Sequence, residues 1–473
     1  MRLTVLGHST LYVESGGPTL LVDPWLGGSC YWRSWWHFPP TPPPAPPVLA
    51  PDYLYLSHHH FDHFHYPTLR RLDRRTHVLV PKFGVDVMAI ELRALGFGRV
   101  TELPHGQVVE LEPRLRVASY QYGSDDTLLG IDADGEVIFD VNDCKIRGHP
   151  GELPLRHFGS PTFMLKSHSW AQGYPNCYEA DDPADLQIMS RESFVEDFID
   201  AVRRFRPRYA VPFASMVAFL HPETIHINDP VVTPVDVRTA FERAGGADGT
   251  DLVIMAPADS WDSERGFELR GIDWYSDRSR NVAELAEAVR PAVDEALAEE
   301  AARTLSYERF ADYFTSFLRA LPALPLTLLF RRNVVFDVPE AGRERYWVLD
   351  FRHRAVHRSS RLPEEHAALI RVPAGVLADA IDKRIVSFVH ISMRFRVRLR
   401  RGGTREGFAF WGLLELFELG YLPLRKSLTV RAALVLWARR AELLEMAGNL
   451  TRRGGFAQRL KGSYAARETP TAS

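Results

Sequence analysis

A run of four histidines and one aspartate occurs at His58-His59-His60-Phe61-Asp62-His63. The residues before it, Asp52 to Ser57, form a short apolar run that predicts a strand. Because strand side chains repeat their direction every two residues, His58 and His60 point the same way and can bind one metal ion together. After the chain turns, Asp62 and His63 offer an oxygen and a nitrogen to a second ion. This spacing therefore predicts a dinuclear metal site.

The second metal ion needs a further nitrogen ligand, and two histidines later in the chain are candidates. His168 follows the apolar run Phe163 to Lys166, so it can reach the edge of a sheet. His221, in Phe219-Leu-His-Pro-Glu223, is the alternative. The sequence leaves both open.

The elements that must position these residues alternate between strand and helix patterns up to about Pro257. This alternation predicts an α/β architecture with layered sheets. The predicted strands are Leu3 to Leu6, Leu11 to Val13, Thr19 to Val22, Tyr53 to Leu56, Val78 to Val80, Arg116 to Tyr120, Leu128 to Ile131 and Val137 to Val141. The predicted helices are Pro67 to Leu72, Asp86 to Leu95, Ser190 to Phe205 and Thr233 to Ala244.

The sequence changes character after about residue 262. A helical stretch, Val282 to Leu305, precedes a strand-rich region with one helix at Gly375 to Lys383. The strands expected there are Val334 to Val338, Arg345 to Phe351, Ala368 to Val372, Val386 to Met393 and Phe395 to Arg401. We therefore predict a metal domain at residues 1–262, an α+β accessory domain at 263–460 and a frayed tail at 461–473. The accessory region carries no catalytic motif. Its pattern resembles sterol-carrier-protein-like modules, which implies an apolar ligand or a homodimer interface.

Composition narrows the class of protein. The 473 residues have a formal net charge of −3, which argues against general nucleic-acid binding. Three cysteines without a CxxC pair fit a reducing compartment. No run of about 18 apolar residues predicts a membrane span, and the first residues predict a strand rather than a signal peptide. We expect a cytoplasmic protein that binds neither nucleic acid nor membrane.

The opening of the chain resembles a known fold family. Gly7-His-Ser-Thr10, Leu20-Leu-Val-Asp-Pro-Trp-Leu26 and the histidine motif are similar to metallo-β-lactamase-fold proteins of the lactonase and N-acyl-phosphatidylethanolamine phospholipase branch. The resemblance covers roughly residues 1 to 260 and implies an αββα sandwich. It also implies that Asp143, at the end of the strand Val137 to Asn142, bridges the two metal ions. Asp140 is the rival, but its spacing of three residues puts it on the opposite strand face.

A narrower resemblance changes the expected chemistry. Asp126-Thr127, Ile138-Phe-Asp-Val-Asn-Asp-Cys144, Gly173-Tyr-Pro175 and Val211-Pro-Phe-Ala214 followed by His221-Pro222 are similar, in order and spacing, to CMP-N-acetylneuraminate hydroxylases. This resemblance implies a non-haem di-iron oxygenase. Hydrolytic members of the fold have a third histidine about twenty residues before the bridging aspartate, and this chain has none there. Asp125 and Asp126 are the charged residues in that stretch. They either supply an oxygen ligand, which suits iron, or cap a turn.

The predicted function is therefore an O2-dependent monooxygenase that hydroxylates a C–H bond of a small natural-product intermediate, hydrophobic or linked to a carrier. In the predicted site, His58 and His60 hold one iron with Asp125 or Asp126, and Asp62, His63 and His168 hold the other. Asp143 bridges the two ions, so Asp143 and His168 are the expected catalytic residues. Electrons would come from a separate reductase or ferredoxin, because no Rieske, flavin or nicotinamide motif is found. The alternative is a dinuclear zinc hydrolase of an ester, lactone or phosphodiester.

Overall fold

Apolar alternation and short turns form 24 strands in four β-sheets, seen in a computed structural model that describes residues 1–170 and 172–450. The strands are β1 (Arg2–Val5), β2 (Leu11–Glu14), β3 (Thr19–Val22), β4 (Ser29–Cys30), β5 (Trp35–His37), β6 (Tyr53–Tyr55), β7 (His77–Pro81), β8 (Arg99–Leu103), β9 (Val109–Glu112), β10 (Leu115–Tyr122), β11 (Asp126–Ala133), β12 (Glu136–Asn142), β13 (Phe163–Lys166), β14 (Tyr178–Ala180), β15 (Tyr209–Pro212), β16 (Val217–Phe219), β17 (Asp251–Leu252), β18 (Ser260–Asp262), β19 (Gly266–Glu268), β20 (Asn333–Asp337), β21 (Tyr346–Asp350), β22 (Ala355–Ser359), β23 (His366–Arg371) and β24 (Arg396–Leu399).

The helices alternate with strands in the first half of the chain and become frequent at its end. They are α1 (Tyr66–Leu69), α2 (Val87–Ala94), α3 (Leu153–Phe158), α4 (Arg191–Phe205), α5 (Pro234–Arg243), α6 (Arg278–Ala301), α7 (Tyr307–Ala320), α8 (Ala323–Leu329), α9 (Ala374–Lys383), α10 (Phe388–Ser392), α11 (Thr404–Glu418), α12 (Val430–Ala438) and α13 (Arg440–Leu450). None of the helices in the described residues is both long enough and apolar enough to cross a membrane.

Two large sheets face each other across a core of small aliphatic side chains. The first has the strand order β19-β18-β1-β2-β3-β6-β7-β8, and the second has the order β17-β15-β13-β12-β11-β10-β9. Leu3 and Val22 of the first sheet pack with Val117, Ile131 and Leu165 of the second, and all five are buried. Helices α1 and α2 cover the outer face of the first sheet, and α4 and α5 cover that of the second. The predicted helix-sheet-sheet-helix layering is confirmed.

A third sheet forms most of the remaining structure, with the order β14-β24-β23-β20-β21-β22. Its edge strand β14 comes from the middle of the chain and pairs in parallel with β24, with Tyr178 opposite Val397. Helices α7, α9 and α11 pack on this sheet around an aromatic core that includes Phe314 and Phe410. The division at residue 262 stays a prediction, and one strand of the first region completes the sheet of the second.

The aromatic loop that follows Asp23 connects the two regions. Trp25, Tyr31 and Trp35 are almost fully buried, in one cluster with the core of the third sheet. The Trp32 indole Nε1 donates a hydrogen bond to Asp379 Oδ2 of α9 at 2.9 Å. The loop therefore lies between the two regions, because its rings fill the space between them.

Two expectations for the C-terminal region were incorrect. Val386 to Met393 was predicted as a strand, but the structure has helix α10 there, ended by Met393 in the left-handed region at φ 61°. A short apolar run that is buried on all sides has no period that distinguishes strand from helix. The region is also less strand-rich than predicted, since α11 to α13 occupy residues 404–450. The tail predicted to fray, 461–473, lies outside the described residues.

Candidate metal centre

The histidine motif follows directly from the central strand β6 of the first sheet. The chain turns tightly after the strand, with backbone hydrogen bonds from His63 and Phe64 to the His60 carbonyl. The Nε2 of His58 lies 2.8 Å from Nδ1 of His60, so the predicted pair does face a common point. Burial and the neighbouring His63 hold the pKa of His58 well below its usual value. A neutral imidazole is the form that binds metals.

His63 lies at the centre of the cluster and contacts three aspartates. Its Nδ1 is 2.8 Å from Asp23 Oδ2, and its Nε2 is 3.2 Å from Asp143 Oδ2 and 3.4 Å from Asp62 Oδ2. Asp23, with φ 42°, also accepts hydrogen bonds from the Ser57 amide (2.7 Å) and hydroxyl (2.6 Å) and from Asn142 Nδ2 (2.9 Å). Asp23 therefore fixes the ring of His63 from behind and leaves Nε2 directed at the cluster.

Asp62 is held from two sides. The Tyr31 hydroxyl donates to Asp62 Oδ1 at 2.5 Å, and His8 Nε2 lies 3.1 Å from Asp62 Oδ2. Burial works to raise the pKa of Asp62, but His63 and His8 hold it well below its usual value, so the side chain is a carboxylate. A buried carboxylate among imidazoles is an anionic oxygen ligand in position.

Asp143 is the first residue after β12 and comes close to the motif from the second sheet. The ligand atoms of His58, His63 and Asp143 all lie within 4.8 Å of one another. Those of His8, Asp62 and His63 form a second such group. Since the two groups share His63, two adjacent cation positions fit this cluster.

Asp125 and Asp126 occupy the turn and first residue of the β10–β11 hairpin, where the third histidine is missing. Asp125 Oδ2 is 3.6 Å from His60 Nε2. Partial burial, Asp125 and Asp143 together raise the pKa of Asp126 well above its usual value. Carboxylates that repel one another in this way are stabilised by a bound cation, so the donor set fits metal ions here. The sequence left a turn cap as the alternative; no hydrogen bond from a backbone amide to either carboxylate is found among the described residues.

His168 and His221 lie in different environments. His168 follows β13, which runs parallel to β12 and pairs Lys166 with Asn142, so His168 and Asp143 leave the sheet at the same edge. Its ring is fully buried, and no side chain of the described residues hydrogen-bonds to either nitrogen. Burial lowers its pKa to about 3. A hydrogen bond with the Phe213 backbone works against this lowering, and the nearby His8 adds to it. A buried neutral imidazole without a side-chain partner matches a metal ligand.

His221 follows β16 in the small sheet β16-β5-β4. Its Nδ1 accepts a hydrogen bond from the Glu223 amide at 3.2 Å, and burial and the Arg394 guanidinium lower its pKa to about 4. Like His168, it belongs to neither of the two groups of potential ligands. The position of His168 at the same sheet edge as Asp143 therefore favours it over His221.

Three further residues hold the proposed ligands in place. Asp23 and His8 lie in the motifs that resemble the fold family, and Tyr31 lies outside both motifs. His8 and Tyr31 contact Asp62, and Asp23 contacts His63. The positive φ of Asp23 and its place before a proline were the available signals.

A groove runs beside the centre, between the first sheet and the chain after α11. It is narrow, with a cavity volume of about 20 Å³, which is room for about one water molecule, and Ser124 and Asp125 border it on the side of the metal site. Its walls are mostly apolar: Val80, Pro81, Phe83, Val85, Val87, Met88, Ala89, Leu419 and Tyr421. The charged side chains that line it are all acidic apart from His59: Asp86, Glu102 and Asp125.

Sequence comparison matches the part of the chain that contains the histidine motif. Residues 2–155 match the family described as the beta-lactamase superfamily domain. Together with the layering of sheets and helices, this match gives the metallo-β-lactamase fold that the sequence predicted.

Two kinds of relative match about half of the chain. A protein of Mycobacterium tuberculosis named as a Rieske 2Fe-2S iron-sulfur protein is 30% identical over 283 residues, which is 54% of this chain and 52% of the relative. The cytidine monophosphate-N-acetylneuraminic acid hydroxylase of Danio rerio is 25% identical over 243 residues, 48% of this chain and 40% of the relative. The chain thus spans about half the length of these relatives, and the predicted resemblance to the hydroxylases is confirmed.

Among solved structures, CmlA, a diiron β-hydroxylase from Streptomyces venezuelae, is similar with a TM-score of 0.39 and 17% identity. The similarity covers 55% of this chain and 53% of that one.

Proposed function

We propose that this protein is a non-haem di-iron, O2-dependent monooxygenase that hydroxylates a C–H bond of a small apolar substrate. The observation that carries the proposal is the carboxylate pair Asp125 and Asp126 at the place of a third histidine, with Asp125 Oδ2 3.6 Å from His60 Nε2. Carboxylate oxygens favour iron in its higher oxidation states over zinc. The sequence relatives named as hydroxylases support the same reaction class.

The proposed ligands divide into two sets. His58 and His60, with Asp125 or the adjacent Asp126, hold one ion. Asp62, His63 and His168 hold the other, and Asp143 lies between them. When bound, the two irons would supply the electrons that activate O2, with the balance R–H + O2 + two electrons + two protons → R–OH + water.

The chain's own residues set the ligand geometry. Asp23 and Ser57 hold the His63 ring, and Tyr31 and His8 hold the Asp62 carboxylate. Because these partners are buried, water has little access to the ligands from this side. Rigid support of this kind keeps donor atoms within the small tolerance that a reactive metal pair requires.

The residues that line the groove favour an apolar substrate. Its apolar walls suit a hydrocarbon surface, and no Lys or Arg lines it. Arg431 borders it, but this guanidinium is bound to Glu102 and to the Phe83 carbonyl. A nucleotide sugar carries phosphate charge and would need cationic partners. We therefore infer a neutral or cationic apolar substrate, such as a natural-product intermediate, rather than a CMP-sugar.

We propose that the two electrons come from a separate reductase or ferredoxin. A Rieske cluster takes two Cys and two His ligands. The three cysteines of this chain are buried in different places, and Cys30 and Cys177 donate to backbone carbonyls. None of them stands in a Cys-x-x-Cys pair.

A dinuclear zinc hydrolase remains the second candidate. The observation that favours it is the histidine motif itself, in a region that matches the beta-lactamase superfamily domain. In that case a metal-activated water would attack an ester, lactone or phosphodiester.

Metal analysis and oxygen uptake separate the two candidates. Protein purified from iron-supplemented cells is expected to hold about two irons per chain, to absorb in the near ultraviolet as ferric iron does, and to consume O2 after reduction by dithionite. Protein loaded with zinc is the matched control and should take up no O2. Two zincs in the purified protein, with ester or lactone cleavage in the absence of O2, would contradict the proposal.

The Asp pair can be tested by comparing Asp125→Asn with Asp126→Asn. We expect Asp125→Asn to lower the affinity for one of the two metal ions by more than about 100-fold, because the Asp125 carboxylate lies beside His60. Asp126→Asn should have the smaller effect, since Asp125 is the carboxylate recorded beside His60 among the described residues. Titration of the apoprotein with Fe²⁺ under argon measures both affinities. Full retention of both metals by both variants would contradict a ligand role for the pair.

A further inference from the structure

Helices α12 and α13 and the turn before them expose an unusual amount of apolar side chain. Six large apolar residues within this short stretch are each more than 50% exposed: Leu428, Val430, Leu434, Leu436, Trp437 and Leu444. Exposed apolar residues are ordinary when scattered singly, but a contiguous set marks a contact surface. Val430, Leu434 and Trp437 share one side of α12, because they are four and three residues apart. We refer to these three residues as the apolar face.

The orientation of this face is fixed by the opposite side of the helices. Ala432 and Val435 of α12 are buried, and the Ala432 methyl lies close to Gly84. Arg431 binds Glu102 of β8, and the buried pair Arg439 and Glu442 holds the start of α13 to the Gly123 backbone. Rotating the helices to bury the apolar face would break these contacts. The face is therefore directed outward by the fold itself.

Three exposed cations flank the apolar face: Arg425, Lys426 and Arg440. Glu442 is buried in its ion pair with Arg439. Residues 424–450 contain five Lys and Arg against two Glu, although the whole chain has a net charge of −3. A second copy of this face would bring like charges together. A valine, a leucine, a tryptophan and flanking cations on one side of a short helix are instead what an anionic bilayer surface binds.

We propose that α12 and α13 dock on the surface of a bilayer that contains anionic phospholipid, with Leu434 and Trp437 inserted at the level of the headgroups. This proposal departs from the expectation, drawn from the sequence, that the protein binds no membrane. That expectation rested on the lack of a spanning segment, and a helix that lies in the interface does not span. The groove adjoins this surface, because Tyr421 of its wall and Ala432 of α12 both pack on Gly84. An apolar substrate dissolved in the bilayer would thus have only a short distance to cross between the bilayer surface and the groove.

Vesicle binding tests the proposal with the full chain. The protein is sedimented with vesicles of phosphatidylcholine alone and with vesicles of equal parts phosphatidylcholine and phosphatidylglycerol. We expect binding to the anionic vesicles that weakens with added salt, because the cationic contribution is screened. The double variant Leu434→Ser/Trp437→Ser should bind at least about tenfold more weakly, since it loses the inserted apolar groups.

The matched control is Leu269→Ser/Ile272→Ser, which removes two exposed apolar residues outside α12 and α13 and should bind as the unmodified chain does. Since all four side chains are exposed, thermal unfolding should be unchanged in both variants. Absence of binding to anionic vesicles overturns the proposal, as does equal binding by both double variants. A dimer in light scattering that only Leu434→Ser/Trp437→Ser dissociates, without vesicle binding, would assign the face to a second copy and also overturn it.

Discussion

The variant Asp143→Asn is expected to take up O2 at least about 1,000-fold more slowly than the unmodified protein after reduction, and to lose at least one of its two metal ions. Asp143 Oδ2 lies 3.2 Å from His63 Nε2. A carboxylate oxygen of Asp143 lies within 4.8 Å of a ring nitrogen of His58, at the place between the two proposed ion positions. Asparagine has nearly the same shape but no negative charge. It cannot offset the repulsion of two neighbouring cations. Metal analysis and oxygen-electrode traces measure the two effects.

Asp140→Asn is the matched control, because Asp140 is the rival carboxylate on the same strand. Asp140 is buried, and Asn142 Nδ2 donates to it at 3.0 Å. Burial and the nearby Asp23 raise the pKa of Asp140 well above its usual value, and Asp140 belongs to neither of the two groups of potential ligands. We expect both metals and most of the rate to remain. If Asp140→Asn lost a metal ion and most of the O2 uptake while Asp143→Asn kept both, Asp140 would be the bridging residue.

The largest effect on stability is expected from Arg394→Ala, at about 3 to 5 kcal/mol of the free energy of unfolding. The Arg394 side chain has no exposed surface. Its guanidinium binds Glu223 through two bonds of 3.1 and 3.0 Å and Glu300 at 2.5 Å. Removing it leaves the Glu300 carboxylate, which is 14% exposed, without its cation. Glu223 is 40% exposed and can rehydrate, so the lower end of the range is expected.

Chemical denaturation followed by tryptophan fluorescence measures this loss. Arg371→Ala is the control, since Arg371 is mostly exposed and pairs with Asp337, which keeps Arg345 as a second partner. Arg371→Ala should lower the free energy of unfolding by less than about 1 kcal/mol. Arg394→Lys should fall between the two, because an ammonium cannot form the two parallel bonds to Glu223. A loss at Arg394 no larger than that at Arg371 would show that the buried ion pairs contribute little.

The fold was accessible from sequence because its signals are local. Strands β1 to β3 and β10 to β12 carry clean apolar patterns, and the spacing of the histidine motif is uncommon by chance. Ser190 is the N-cap of helix α4, and its side chain accepts a hydrogen bond from the Ser193 amide. The sequence pattern predicted that the helix starts at this residue. In each case a few adjacent residues contain the information.

Features that depend on distant contacts were not accessible. Helix α10 was predicted as a strand, because its burial comes from elements far away in the sequence. The roles of Tyr31 and Asp23 depend on contacts across 31 and 40 residues, to Asp62 and His63. Arg394 was read as one member of a basic strand, and its partner Glu223 is 171 residues distant. No local pattern specifies such pairs.

Strand β14 has a consequence for the order in which this protein can be completed on the ribosome. Tyr178 leaves the ribosome well before Val397, its partner in the third sheet, has been synthesised. Until then the nascent metal-binding half carries an open strand edge, and Trp25, Tyr31 and Trp35 lack the packing partners that the later half supplies. Strand β24, the last of this sheet to be synthesised, therefore completes the packing of both halves. Until it is in place, the nascent chain is prone to aggregation.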